Sequence, residues 1–142
     1  MKKNFKYGII LPLKEVFLKK NSGAVSIFVN EYLKKSKLRN ESIVFTLKHS
    51  GHYLEKNTCD IELNSKIFTN YNYIKSITRT KYFSNLKHLE IHNRPNYAEY
   101  IAKKFPQKKV SLILHNNFFL KDTDENNNRK LFLLQNCTSL IF

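Results

Sequence analysis

Short apolar runs alternate with stretches of helical periodicity along most of the chain. The apolar runs predict strands at residues 7–13, 42–47, 58–63, 87–92, 110–115 and 138–142. Apolar residues at helical spacing predict helices after the turn at 21–23 and at 70–83, 95–105 and 125–135. Pro95 suits the first turn of its helix, where the missing N–H is no loss.

The same spacing predicts which helix positions face the core. In the first helix the inward stripe is Val25, Phe28, Val29, Tyr32 and Leu33. In the last helix we expect Leu131 and Leu134 to face inward.

Alternation of strands that are apolar throughout with amphipathic helices is typical of a parallel sheet covered on both faces. The predicted fold class is therefore α/β, a Rossmann-like open parallel sheet with helices on both faces. A length of 142 residues is sufficient for one domain with a buried core, so residues 1–142 are predicted to form a single domain.

Two of the predicted strands end in a histidine followed by asparagine. His92 and Asn93 end one apolar run, and His115 and Asn116 end the next. In an open parallel sheet the carboxyl ends of the strands form the crevice where ligands bind. We therefore expect both histidines at the same edge of the sheet, near Gly23, as part of one site.

The formal net charge of +14 indicates a preference for polyanions such as nucleic acid or an anionic membrane surface. Compositional bias toward lysine and asparagine explains the same charge equally well. No apolar run approaches the roughly 20 residues that span a bilayer, and Cys59 and Cys137 form no disulfide framework. A cytoplasmic protein without a metal site is the expectation. The chain ends in a strand-like run, which favours a longer parent protein or a truncated product.

The order of these elements, with strand ends reading His-Asn-Arg-Pro and His-Asn-Asn, resembles the N-terminal domain of GT-B glycosyltransferases. The resemblance is narrower to the family-4-like enzymes of bacterial lipopolysaccharide and capsule assembly. It implies transfer of a sugar from a nucleotide-sugar to a glycan or lipid-linked acceptor, at the inner face of the membrane. This chain would be the acceptor-side domain, inactive alone, because the donor-binding domain is a separate C-terminal one.

The resemblance also implies roles for individual residues. Gly23 matches the family's glycine-rich loop after the first strand, although that loop often has two glycines. His115 matches a histidine beside the transferred sugar and is assigned to substrate contact first and to catalysis second. The other implied substrate-binding residues are His92, Asn93, Arg94, Asn116 and Asn117. An alternative for Arg94 is a structural pairing with Glu90 or Glu99.

Two other functions remain open. The charge alone favours a basic nucleic-acid-binding module, although no zinc-finger spacing or aromatic RNA-recognition strand is present. The third possibility is a degenerate Rossmann fragment without activity of its own.

Overall fold

The computed structural model describes residues 3–116 and 123–141. Within these residues the strands are β1 (Tyr7–Ile10), β2 (Ser42–Leu47), β3 (Thr58–Ile61), β4 (His88–His92), β5 (Lys109–Ile113) and β6 (Ser139–Ile141). The helices are α1 (Ala24–Lys35), α2 (Thr69–Thr78), α3 (Pro95–Lys104) and α4 (Asp124–Asn136).

The strands form one parallel sheet with the order β3-β2-β1-β4-β5-β6. This is the Rossmann order, and it confirms the predicted fold class. The chain runs outward in one direction from β1 and in the other from β4. The boundary between β1 and β4 is therefore the switch point at which ligands bind in such sheets.

Helices cover both faces of the sheet, but unequally. The apolar residues of α1 pack on Ile9, Leu11 and Val44, which point to one face. The apolar residues of α2, α3 and α4 pack on the opposite face, where Leu89 and Ile91 of β4 point. Because side chains alternate along a strand, His88, Glu90 and His92 share the α1 face.

Several element bounds differ from the predictions. The first strand ends at Ile10, and α2 ends at Thr78, five residues before the predicted end. Phe83 instead lies in a separate 3₁₀ turn, Phe83–Asn85, where its ring packs 4.8 Å from that of Phe105. This turn lets a buried aromatic ring reach the core from outside the helix.

The predicted inner face of α4 is wrong. Leu131 and Leu134 are 58% and 54% exposed, whereas Leu133 is fully buried. The sequence has four consecutive apolar residues here, and a helix can point only part of such a run at the sheet. Among the described residues, no helix has the length and apolar character needed to cross a bilayer.

Candidate functional site

His92 and His115 lie at the same carboxyl edge of the sheet, as predicted, and their side chains are in contact. Nδ1 of His92 is 2.9 Å from Nε2 of His115, and the two ring planes are nearly parallel, with an interplanar angle of 17°. His92 ends β4 and is fully buried, whereas His115 follows β5 and is exposed. Phe28 of α1 packs edge-on against the His115 ring. The pair therefore connects the sheet interior with its solvent-facing edge.

Glu90 and Tyr32 continue this contact into the protein. Nε2 of His92 lies 2.6 Å from Oε1 of Glu90. The hydroxyl of Tyr32, on α1, donates to the same carboxylate oxygen. Burial and the Glu90 charge raise the pKa of Tyr32 well above its usual range, so the hydroxyl stays protonated. The four side chains form one chain of hydrogen bonds, which we call the Tyr32–His115 relay.

The direction of the relay follows from the ionisation of Glu90. Burial raises the pKa of this carboxyl, but the interactions with His92 and the hydrogen bond from Tyr32 outweigh burial and lower it overall. An ionised carboxylate only accepts, so Nε2 of His92 donates to Oε1 of Glu90. For the contact between the two rings, we assign the proton to Nε2 of His115, with Nδ1 of His92 accepting. Nδ1 of His115 then keeps its lone pair, and no partner for this nitrogen lies among the described residues.

The electrostatic environment keeps His115 neutral near pH 7. Burial, followed by the neighbouring His92, lowers the pKa of His115 below its usual value of 6.5. The carboxylates of Glu15 and Glu90 act in the opposite direction but do not outweigh them. A neutral imidazole with a free ring nitrogen is a hydrogen-bond acceptor and a weak base.

Asn93 holds the two strand ends in place. Its backbone has φ 55°, in the left-handed region that asparagine tolerates better than most residues. Its N–H donates to the carbonyl of Ile113 at 2.8 Å, and its buried Oδ1 accepts from the N–H of His115 at 2.7 Å. The structure thus gives Asn93 a role in orienting His115, and its predicted substrate contact stays a prediction.

Arg94 lies beside the N-terminus of α3. Its Nη1 donates to the Asn93 carbonyl at 2.8 Å, and its side chain also hydrogen-bonds Tyr97. None of the ion pairs within the described residues involves Arg94. The alternative that Arg94 pairs with Glu90 or Glu99 is therefore wrong, and its positive charge is available to an anion.

Gly23 precedes α1 and contacts a carboxylate of the same chain. Oε1 of Glu15 accepts from the backbone N–H of Ser26 at 2.8 Å. A Cβ on Gly23 would lie 2.0 Å from that oxygen, so the glycine leaves room for the carboxylate. Glu15 therefore occupies the N-terminus of α1, where dinucleotide-binding folds hold a phosphate. The predicted substrate contact of Gly23 stays a prediction. In this structure the Glu15 carboxylate occupies the position next to Gly23.

The remaining predicted residues lie at the end of β5. Asn116 is exposed and follows His115 directly. Asn117 lies outside the described residues. Among the described residues, no cluster of three or more histidine, cysteine or acidic side chains is arranged to hold a metal ion.

An aromatic cavity opens at the same edge, between the first turns of α2 and α3. Its volume is about 480 Å³. The rings that line it are Phe68, Tyr71, Tyr97 and Tyr100, and the amides are Asn70 and Asn96. Phe68 is 79% exposed and has φ 51°, a strained backbone for a bulky residue. The Tyr97 hydroxyl donates to Oδ1 of Asn70 at 2.6 Å, which fixes that amide in the wall.

No known protein family, curated protein or solved structure matches this chain. The functional assignment therefore depends on the geometry of the site and on its position in the sheet.

Sequence reasoning missed three residues of the site. The sequence indicates Glu90 only as a pairing partner of Arg94. It indicates Tyr32 only as one of the inward-facing positions of the first helix. The period of two in His88, Glu90 and His92 indicates that these side chains share one sheet face. No pattern in the sequence indicates a role for Glu15, because its contact with Gly23 depends on the path of the loop that joins β1 to α1.

Proposed function

We propose that this chain is the acceptor-side domain of a GT-B-like glycosyltransferase, and that His115 accepts the proton of the acceptor hydroxyl. The observation that carries the proposal is the Tyr32–His115 relay, which ends in an exposed imidazole at the carboxyl edge of a Rossmann-ordered sheet. General bases are expected to be neutral at working pH and oriented by a second group.

The relay suits proton transfer from a hydroxyl. When Nδ1 of His115 takes the proton, the positive charge that develops is stabilised by Glu90 through the intervening His92. In the retaining reaction, where the base has a smaller role, the same nitrogen accepts a hydrogen bond that orients the hydroxyl. Either way, His115 contacts the acceptor at the atom that forms the new bond.

Neighbouring groups supply binding functions for the acceptor. Arg94, which has no carboxylate partner among the described residues, suits the phosphate of a lipid-linked acceptor. The aromatic cavity has the volume of a small-ligand pocket and combines ring faces with amides, a combination that suits the apolar face and hydroxyls of a pyranose. We also propose that this domain acts in the cytoplasm, on an acceptor held at the inner face of the membrane. A separate donor-binding domain would hold the nucleotide-sugar.

The proposal is tested by NMR titration of the labelled chain with monosaccharides, short glycans and soluble prenyl-phosphate glycans. We expect chemical-shift changes at His115 and at the lining residues of the aromatic cavity. The variant His115→Gln should weaken binding, while His52→Gln, which changes an exposed loop histidine, should not. Absence of binding to every glycan, or equal effects of the two variants, would contradict the assignment.

A further inference from the structure

A basic furrow lies along the amino-terminal edge of the sheet, opposite the Tyr32–His115 relay. It consists of two cavities of about 760 and 750 Å³, both lined in part by Asn4 and Asn85. The first is lined by Lys3, Lys56 and Lys81. The second is lined by Lys6, Lys87, Lys108 and Lys109. Among the described residues, no aspartate or glutamate lines either cavity.

Strand register brings part of this charge together. Tyr7 of β1 pairs with His88 of β4, which pairs with Lys109 of β5. The backbone N–H of Lys87 donates to Lys6, and that of Lys109 donates to Lys87. Neighbouring strands lie about 4.8 Å apart, so the backbones of Lys6, Lys87 and Lys109 lie close together at this edge. Because Lys109 pairs with His88, its side chain points to the opposite face of the sheet from that of Lys87.

Among the residues that the structure describes, most of these ammonium groups have no charged partner. Lys6 is the only lysine of the furrow that forms an ion pair within the described residues, with Glu41. Lys108 is held by the carbonyls of Phe83 and Leu86 at 2.9 and 2.6 Å. Four other lysines of the furrow form neither a hydrogen bond nor an ion pair through their ammonium groups in the described part of the chain, namely Lys56, Lys81, Lys87 and Lys109. The ammonium group of Lys81 lies 5.2 Å from the centre of the Tyr82 ring.

The shape and lining of the furrow distinguish between classes of polyanion. None of the large apolar side chains that are exposed in residues 3–116 and 123–141 lines it, so the described lining lacks the apolar anchors that hold a protein on a bilayer. Asn4, Asn85 and Gln107 offer amides to base edges and sugar hydroxyls, and Tyr7 and Tyr82 offer aromatic rings.

We propose that the basic furrow binds the sugar–phosphate backbone of single-stranded nucleic acid. The four unpaired lysines contact successive phosphates, and the amides and tyrosines contact the nucleosides between them. This site lies at the opposite edge of the sheet from the proposed acceptor site, so failure of one proposal would leave the other unaffected.

The test is fluorescence anisotropy of a labelled 12-nucleotide oligo-dT with the full chain over a range of salt concentrations. Four phosphate contacts predict a slope of log K against log salt of about −3 for a single strand. Lys87→Gln with Lys109→Gln should halve that slope and weaken binding roughly 25-fold at 0.1 M salt. Lys56→Gln with Lys81→Gln, in the other cavity, should act similarly and covers the case that the first pair fails to fold.

The matched control is Lys19→Gln with Lys20→Gln, which removes the same charge from the loop at the carboxyl edge. It should change the affinity less than twofold. Equal weakening by the control would show diffuse attraction to a basic protein and overturn the proposal. Tighter, furrow-dependent binding of a duplex, of inorganic polyphosphate or of phosphatidylserine vesicles would assign the furrow to that ligand instead.

Discussion

Replacing Gly23 with alanine tests whether Glu15 stabilises the N-terminus of α1. The backbone at Gly23, with φ −71° and ψ 164°, is open to any residue. An added Cβ would lie only 2.0 Å from Oε1 of Glu15, so the carboxylate must move away from the N–H of Ser26. The expected loss of stability arises from that displaced hydrogen bond and not from backbone strain.

The magnitude follows from the bond that is lost. A hydrogen bond to a charged group contributes about 1.5–3 kcal/mol, and removal of a helix cap costs about 1 kcal/mol. We expect Gly23→Ala to lower the free energy of unfolding by about 2 kcal/mol on this basis. In a Glu15→Ala background the clash is absent, and the same substitution should change stability by less than about 0.5 kcal/mol.

The assay is urea unfolding of the wild type, both single variants and the double variant, followed by far-UV circular dichroism. The account predicts a coupling energy between positions 15 and 23 of about 1–2 kcal/mol. If Gly23→Ala costs the same with and without Glu15, the carboxylate does not occupy the N-terminus of α1 and the reasoning is refuted.

Three further predictions concern the Tyr32–His115 relay and the residues next to it. Glu90→Gln should lower the free energy of unfolding by about 2 kcal/mol, because it removes charge-assisted hydrogen bonds from buried groups. The control is Glu62→Gln, which breaks an exposed ion pair and should lower the free energy of unfolding by under about 0.5 kcal/mol in the same urea assay. Asn93→Gly keeps the φ of 55° accessible but removes the hydrogen bond from the side chain, so it should lower the free energy of unfolding by about 1 kcal/mol. Asn93→Ala should lower it by about 1 kcal/mol more, because alanine is strained at this φ. Equal losses for the two variants would contradict the strain at position 93. Burial lowers the folded-state pKa values of His88 and His115, so the unfolded chain binds more protons below about pH 6.5. Stability should therefore fall as pH falls from 7 to 5.5, and His115→Gln should reduce that dependence; an unchanged pH profile would count against it.

Much of the fold was predictable because its signals are local. Apolar runs and helical periodicity predicted the alternation of strands and helices, and the connections between parallel strands constrain the topology. The buried side of α4 was not predictable, because its four consecutive apolar residues satisfy more than one helical face. Leu133 is selected only by packing against the sheet.

The candidate site was predictable in position and not in detail. His92 and His115 end adjacent parallel strands, so their proximity follows from sheet topology. Their contact depends on the pairing of His92 with Ile113 and on the left-handed conformation of Asn93, which no local pattern encodes. Glu15 reaches Ser26 across eleven residues of loop and helix, a contact that only the folded chain creates.

The central claim, that Glu90 acts through His92 to orient His115 as a proton acceptor, is tested most directly by ¹⁵N NMR of the histidine rings. The account predicts that His115 carries its proton on Nε2 and titrates below its usual pKa of 6.5. Because the Glu90 charge raises the pKa of His115, Glu90→Gln should lower that pKa further. A proton on Nδ1 of His115, or a titration of His115 that Glu90→Gln leaves unchanged, would contradict the account.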